Sequence, residues 1–326
     1  MRLFWQGKPE LGPKEAGPEL AKTLAPPVFE RGDGALHAGD NLSILRALAR
    51  THREAVTFAY LDPPFLTGRT HELRVPRAGV RRAAFEDRWE DRAAYLESLG
   101  ARVAATRELL APHGCLIVHV DPKTSHYVKV LCDEIFGDDA FASEIVWRYR
   151  RWPARTLNFQ RVHDVLLRYR KDPSVPPRFE QLYEPLAAST LATWGTRKQR
   201  AVFGEGADGK RRLRSTATEE PSRGVPMGDV WDIGVIAPVA KERTGYPSQK
   251  PEALLERLLA ALSAPGDLVL DPYAGSGTTL AVAARMGRRW LGIDESPVAL
   301  EIASKRLAAI APCTPDPRAR RLDGAR

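Results

Sequence analysis

Apolar runs of strand length alternate with helical periods along the first half of the chain. Residues 36–40 predict a short strand, 41–50 a helix, and 55–62 (AVTFAYLD) a strand buried on both faces. A helical period follows over 91–110, then a second buried strand over 114–121 (GCLIVHVD) and a helix over 123–136. This alternation predicts a mainly parallel sheet covered by helices on both faces.

The same alternation returns towards the carboxyl end. It predicts a helix over 251–262, a strand over 268–272, a helix over 278–286, a strand over 288–294 and a helix from Pro297, with Ser296 as its N-cap. Between the two halves, residues 144–245 have weak apolar periodicity and many Arg, Trp and Tyr residues, and 195–228 reads as loop. An Arg-rich stretch over 66–84 also reads as loop.

The pattern divides the chain into five regions. We expect an arm over 1–35, rich in Pro and Gly; one half of an α/β domain over 36–143; an insertion over 144–245; the second half of the domain over 246–311; and a tail over 312–326, whose prolines and arginines predict disorder.

Composition narrows the classes of protein. With 43% hydrophobic and 28% charged residues the chain resembles an ordinary globular protein, and no apolar run approaches the roughly 18 residues of a membrane span. The N-terminus shows no secretory signal pattern, so we expect a cytoplasmic protein. Three Cys without a CxxC pair exclude a cysteine-built zinc site, and no metal is expected. The net charge of +8 favours a polyanionic partner.

A glycine loop follows the predicted strand over 268–272. Residues 268–280 read LVLDPYAGSGTTL, in which Gly275 and Gly277 allow close approach of a ligand and the following helix presents unpaired amides. The loop lacks the Lys of a P-loop, and Leu280 stands where a dinucleotide fingerprint needs a small residue. An adenosyl cofactor without a pyrophosphate fits this loop better.

An acidic residue ends the next predicted strand. Asp294 lies seventeen residues beyond Gly277, close to the spacing at which a carboxylate binds the ribose hydroxyls in nucleoside-binding α/β units. Alternatively, Asp294 caps the helix that follows.

A second acidic strand tip begins the segment Asp62-Pro63-Pro64-Phe65. The prolines hold Asp62 extended at the carboxyl end of a strand, where α/β proteins bind ligands. There the Asp62 carboxylate and the Pro63 carbonyl could accept hydrogen bonds from the exocyclic amine of a base, and Phe65 could stack on an extruded base. The alternative is a proline turn packed by a core phenylalanine.

Together these motifs resemble the permuted β class of adenine-N6 DNA methyltransferases, which use S-adenosylmethionine. The resemblance rests on GD at 39–40, DPPF at 62–65, GCLIVHVD at 114–121, SHYVKVLCDEIFG at 125–137, EIVWRYR at 144–150, TGYPSQKPEALLERLL at 244–259, DPYAGSGTT at 271–279 and GIDESPVALEIASKRL at 292–307. It implies a Rossmann-like, doubly wound mixed sheet of the class I methyltransferase type with circularly permuted motif order. Phe65 replaces the commoner tyrosine, and Tyr246 stands where histidine is frequent and receives no role.

The resemblance also implies the site residues. The catalytic set is Asp62, Pro63, Pro64 and Phe65, and the cofactor set is Asp40, Gln249, Lys250, Asp271, Tyr273, Gly275, Gly277, Thr278 and Asp294. In this set Asp294 binds the ribose, Asp40 the adenine edge, and Lys250 pairs with the methionine carboxylate. Because Asp62 and Asp271 must meet across one methyl group, we expect both halves to share one sheet.

The insertion carries the residues expected to bind double-stranded DNA. Lys and Arg neutralise phosphates, and Arg also binds guanine edges; the candidates are Arg148, Arg150, Arg151, Arg197, Lys198 and Arg200. Trp147 and Tyr149 fit the core as well as they fit base stacking, and His119, inside an apolar strand, reads as a core residue.

These features predict methyl transfer from S-adenosylmethionine to the N6 amine of a flipped-out adenine. The alternatives are cytosine-N4 methylation, where the resemblance favours Ser in place of Asp62, and a non-catalytic DNA-binding subunit on the same scaffold. The resemblance further implies a homodimer, an accompanying restriction endonuclease and a nucleoid-associated location in a prokaryote.

Overall fold

The computed structural model describes residues 3–5, 8, 24–74, 81–153, 155, 157–205 and 211–310. By their contacts these residues form two compact units, a smaller one of Glu180–Gly228 and a larger one of the flanking segments. Most of the predicted arm and all of the predicted tail over 312–326 lie outside the described residues.

Strands account for much of the described chain. They are β1 (Phe29–Arg31), β2 (Gly34–Ala38), β3 (Val56–Leu61), β4 (Arg69–Arg74), β5 (Arg81–Asp87), β6 (Leu110–Val120), β7 (Phe141–Arg148), β8 (His163–Arg170), β9 (Tyr183–Glu184), β10 (Arg197–Glu205), β11 (Arg211–Pro221), β12 (Val225–Pro226), β13 (Val230–Asp232), β14 (Leu268–Asp271) and β15 (Arg289–Asp294).

Helices separate these strands at the predicted places. They are α1 (Asn41–Leu48), α2 (Arg92–Leu109), α3 (Ser125–Phe136), α4 (Ala188–Trp194), α5 (Glu252–Leu262), α6 (Thr278–Arg285) and α7 (Pro297–Ala308). Side chains of Asp40, Asp91 and Ser296 cap α1, α2 and α7, because each accepts a hydrogen bond from a backbone amide of the first turn. Ser296 with Pro297 therefore begins α7 as predicted.

A nine-stranded sheet forms the centre of the larger unit, in the order β1-β2-β15-β14-β3-β6-β8-β7-β13. The strands from β2 to β6 in this order run parallel, and β8 is antiparallel to both β6 and β7. All six residues of β3 and all four of β14 are buried, as expected for strands covered on both faces. The predicted α/β fold with a mixed sheet is confirmed.

The direction of winding reverses between β14 and β3. After β14 the chain crosses through α6 to β15 on one side, whereas after β3 it crosses through α2 to β6 on the other. At such a reversal the two loops diverge and leave a crevice at the carboxyl ends of the strands. The candidate site lies in this crevice.

Three regions differ from the sequence prediction. Residues 66–84, expected as loop, contain most of the antiparallel pair β4 and β5, and 195–228 contains the hairpin of β10 and β11. These strands carry charged residues at successive positions, so no apolar period marks them. Strand β1, inside the predicted arm, pairs with β2.

The insertion boundaries also differ. The predicted start at 144 falls within β7, and β7, β8 and β13 belong to the nine-stranded sheet, so only Glu180–Gly228 separates as its own unit. In β7 exposed and buried residues alternate over much of its length, because this strand lies near the sheet edge, and such a pattern is easily read as insertion.

Among the described residues, none of the helices combines the length and apolarity that crossing a bilayer requires. In that same part of the chain, no three His, Cys, Asp or Glu side chains are grouped as metal ligands would be.

Candidate active site

Two acidic residues meet at the reversal point. Leu270 of β14 pairs with Ala59 of β3, so Asp271 at the end of β14 and Asp62 just after β3 reach the same edge of the sheet. Both line one cavity of about 330 Å³. The expectation that the two halves share a sheet and bring these carboxylates together is met by the structure.

The segment after Asp62 is held in a fixed turn. Pro63 is buried, and Leu66 adopts a left-handed backbone conformation with φ 56°. The buried Asp87 carboxylate accepts hydrogen bonds from the Leu66 amide (2.9 Å), the Thr67 amide (2.8 Å) and the Thr67 hydroxyl (2.6 Å). Asp87 therefore fixes the exit of the catalytic segment, a role that the sequence analysis missed.

Lys250 contacts the catalytic carboxylate. Its Nζ donates to Oδ1 and Oδ2 of Asp62 at 2.7 and 2.5 Å, and it lies 4.9 Å from the centroid of the Phe65 ring. The Lys250 side chain is only 9% exposed, so the pair is shielded from water. The sequence analysis assigned this ammonium to a cofactor carboxylate; in the structure its partner is Asp62.

A buried polar chain lies behind Phe65. The Tyr60 hydroxyl is 2.6 Å from His119 Nδ1, and His119 Nε2 is 3.5 Å from Asp164 Oδ2. Burial lowers the pKa of His119 and the Lys250 charge lowers it further, while Asp164 opposes both. His119 is completely buried and does not line the cavity, as expected of a core residue.

The glycine loop is tied to Asp294. The Gly275 amide donates to Asp294 Oδ2 at 2.7 Å, and the Ser296 amide donates to Oδ1 at 2.9 Å. One oxygen thus holds the glycine loop while the other contacts the segment that leads into α7, so the structural and the ligand-binding interpretations of Asp294 are compatible. Burial raises the pKa of Asp294, and these amide hydrogen bonds oppose the rise.

Asp271 is the most strongly perturbed carboxyl of the crevice. Burial raises the pKa of Asp271 to about 7, although hydrogen bonds from Thr279 and from the Tyr273 amide favour its charged form. The nearby Asp62 and Asp294 add to the rise. A cationic group bound here would favour the ionised form of this carboxyl.

Most of the predicted cofactor residues line the cavity, but two do not. Asp40 caps α1 through Ser43 and pairs with Arg102 at 2.9 Å, while its neighbours Gly39 and Asn41 face the cavity. Gly277 packs against α7, where a Cβ would lie 2.9 Å from the Ala303 Cβ. Those that do line it are Gln249, Lys250, Asp271, Tyr273, Gly275, Thr278 and Asp294.

Two of the lining residues have structural partners. Gln249 Oε1 accepts from the amide and hydroxyl of Thr244, both at 2.8 Å, so this amide organises its own loop. Tyr246, to which the sequence analysis gave no role, is buried beside the glycine loop: a Cβ on Gly275 would lie 3.4 Å from its ring. The ring and the φ of 51° at Gly275 together favour glycine there.

The predicted DNA-binding residues fall into two groups. In the larger unit Arg148 forms a bidentate pair with Asp232 (both contacts 2.5 Å), and Arg150 and Arg151 are exposed just beyond β7. In the smaller unit Arg197, Lys198 and Arg200 are exposed, and Lys198 pairs with Glu220 at 2.8 Å. Trp147 and Tyr149 are buried, which favours their interpretation as core residues.

The crevice fits an adenosyl amino-acid cofactor. The Gly275 turn would lose its room if a Cβ were added, and the first amides of α6 open beside it. Asp294 and Asp271 supply acceptors for hydroxyls and for a cationic amino group, and Tyr273 and Pro272 supply apolar wall.

Comparison with known proteins agrees with this geometry. A family model for N6/N4 methyltransferases, described as DNA methylase, matches residues 56–305. Type II methyltransferase M.EcaI of Enterobacter cloacae is 30% identical over 298 residues, covering 76% of this chain and 64% of that protein. DNA adenine methyltransferase YhdJ of Escherichia coli K12 is 27% identical over 275 residues, covering 82% and 81%.

A solved structure shares the fold. The cytosine-N4-specific PvuII DNA methyltransferase aligns with a TM-score of 0.56 at 16% identity, over 88% of this chain and 91% of that one. The chain spans less than two thirds of M.EcaI, the first of the curated relatives. Since the family model covers most of the sequence, the chain belongs to the N6/N4 family of DNA methylases.

Proposed function

We propose that this protein transfers a methyl group from S-adenosylmethionine to the N6 amine of adenine in double-stranded DNA. The observation that carries the proposal is the convergence of Asp62 and Asp271 on one cavity at the reversal of the sheet. One carboxylate is placed to orient a nucleophile, and the other lies beside a glycine loop suited to the cofactor.

The chain's own residues position the reactants. The bound cofactor would supply an electrophilic methyl group on a sulfonium sulfur. The Asp62 carboxylate and the Pro63 carbonyl would accept hydrogen bonds from the two N–H groups of the amine, which directs its lone pair away from the ring. Lys250 occupies one lone-pair direction of each Asp62 oxygen, so the carboxylate keeps acceptor capacity for the amine. The amine loses one proton as its new N–C bond forms.

The remaining regions receive roles within the same proposal. The basic unit Glu180–Gly228, together with the exposed arginines beyond β7, would bind the DNA target. The permuted β-class arrangement, a homodimer, a companion restriction endonuclease and a nucleoid location stay predictions from the resemblance.

The proposal is tested with radiolabelled cofactor and unmethylated DNA. We expect label in DNA with the wild type and an initial rate at least about 100-fold lower with Asp62→Asn, because the amide cannot present two acceptor oxygens. Asp33→Asn, an exposed acid in the turn between β1 and β2, is the matched control and should leave the rate unchanged.

Product analysis decides the target atom. Digestion of the labelled DNA to nucleosides separates N6-methyladenine from N4-methylcytosine, and the first is expected. N4-methylcytosine would assign the alternative specificity, while unlabelled DNA at every salt concentration tested would favour the DNA-binding subunit.

A further inference from the structure

The loop that joins β7 to β8 exposes three large apolar side chains. Trp152 is 91% exposed, Leu157 108% and Phe159 102%, and all lie within a single connection of the larger unit. Full exposure of one apolar residue is ordinary in a folded protein, but a cluster of three on a short loop usually marks a contact surface.

Hydrogen bonds give this loop a defined base. The Tyr149 amide donates to the Val162 carbonyl at 2.8 Å, and Gln160 Nε2 donates to the Trp152 carbonyl at 2.8 Å. Arg161 pairs with the buried Asp121, just after β6. The two arms are therefore tied to each other and to the sheet, whereas the apolar side chains near the tip contact little of the protein.

The loop emerges at the edge that carries Asp62. Strand β8 is antiparallel to β6 and β7, so β7 ends at the same edge of the sheet as β6 and β3. Aromatic contacts connect the two places: His119 lies 5.7 Å from Phe65 and 5.6 Å from Trp147, between ring centroids. The apolar tip thus stands beside the opening through which a base would reach Asp62.

The charge around the tip indicates its partner. Arg150, Arg151 and Arg155 are exposed on the same loop, and no acidic residue occurs between 149 and 163. Cationic side chains suit a phosphate backbone, and apolar side chains that enter the stack beside them are a known way for proteins to deform a duplex. A membrane or an apolar protein surface would not account for the position of this loop beside the carboxylate.

We propose that Trp152, Leu157 and Phe159 form an apolar wedge that enters the DNA base stack at the target and fills the space left by the extruded base. The proposal rests on the proposed function and adds how this chain takes its substrate out of the duplex. Burial of the exposed side chains between bases offsets the cost of unpairing and unstacking the target.

The test compares two duplexes that differ only opposite the target base. Modification-sensitive sequencing of DNA treated with the wild type first locates the target; synthetic duplexes then carry that base either paired or opposite an abasic position. We expect the double variant Trp152→Ala/Phe159→Ala to lose at least tenfold in kcat/KM on the paired duplex and less than threefold on the abasic one, where extrusion needs little help.

Two controls separate the wedge from other effects. Phe4→Ala removes another exposed aromatic ring, 88% exposed, and should leave both rates unchanged. Because the wedge side chains pack against little of the protein, the double variant should also keep the wild-type Tm and cofactor affinity. Equal losses on the two duplexes, no loss on either, or the same pattern with Phe4→Ala would overturn the wedge. A wild type that methylates no DNA would instead overturn the proposed function.

Discussion

At the scale of single residues, the pair of Lys250 and Asp62 is the most informative contact of the site. A buried ammonium that loses its partner is costly, so the two residues stabilise one another in the crevice. The contact also fixes both carboxylate oxygens, and therefore the directions left to accept an amine. Lys250 acts on orientation of the nucleophile in this view, whereas the sequence analysis gave it a role in holding the cofactor.

Lys250→Met distinguishes the two roles. Methionine keeps much of the length and apolar contact of the lysine stem but removes the charge. We expect kcat to fall about 10- to 100-fold, as for loss of one oriented group, while the Kd for S-adenosylmethionine changes less than threefold. Titration calorimetry gives the Kd and single-turnover kinetics the rate. A Kd raised more than tenfold with an unchanged single-turnover rate would favour the cofactor role.

At the scale of elements, the hairpin of β4 and β5 serves the catalytic segment. Its last residue, Asp87, turns back to bind the amides of Leu66 and Thr67, and Trp89 Nε1 donates to the same carboxylate at 3.3 Å. A left-handed backbone at Leu66 is unfavourable for a residue with a branched side chain, so several hydrogen bonds are needed to hold it. The hairpin thereby sets the path of Phe65.

Asp87→Asn should loosen that segment without emptying the cavity. The amide group offers one acceptor oxygen where the carboxylate offers two, so at least one buried donor loses its partner. We expect the free energy of unfolding in urea to fall by about 1–3 kcal/mol and kcat to fall with it, while cofactor affinity is kept. Glu90→Gln, an exposed acid three residues further on, is the control and should change neither. Unchanged stability and rate in Asp87→Asn would contradict the role given to this residue.

Elements with a strong apolar period could be predicted from the sequence, and elements with polar faces could not. β3, β14 and α5 are buried enough that their pattern fixed their positions to within a residue or two. The hairpin of β4 and β5 is stabilised by pairing and by contacts such as the stacked rings of His71 and Phe85, which no local period encodes. The partners of Lys250 and Asp87 were missed for the same reason, because a contact across distant segments exists only after folding.

At the scale of the whole molecule, the order of strands concentrates acidic groups in one crevice. Asp62, Asp271 and Asp294 end neighbouring or nearby strands, and each raises the energy of ionising Asp271. The fold therefore holds a carboxyl that is reluctant to ionise at the place where a cationic ligand is expected to bind. Such an arrangement disfavours the empty protein at high pH and is relieved by a positive charge, so stability and ligand binding are coupled.

The effect of Asp271 on stability should depend on pH with a definite sign. Its pKa is raised to about 7 in the folded protein. Between pH 4 and 7 the unfolded chain releases a proton that the folded protein keeps, so this group lowers stability progressively as pH rises and by a constant amount above pH 7. The shift of about 3 pKa units corresponds to about 4 kcal/mol at pH 8.

Asp271→Asn removes this ionisation while keeping an oxygen for the Tyr273 amide, which lies 2.9 Å from Asp271 Oδ1. Urea unfolding of both proteins at a series of pH values should show the variant gaining on the wild type from pH 4 to 7, by up to about 4 kcal/mol, and the difference then remaining level. Asp33→Asn should show no such trend, because that side chain is exposed in a turn. A difference between Asp271→Asn and wild type that is constant, or that shrinks as pH rises, would mean that Asp271 ionises as readily in the crevice as in the unfolded chain, and the coupling between its charge and the binding of a cationic cofactor would then be lost.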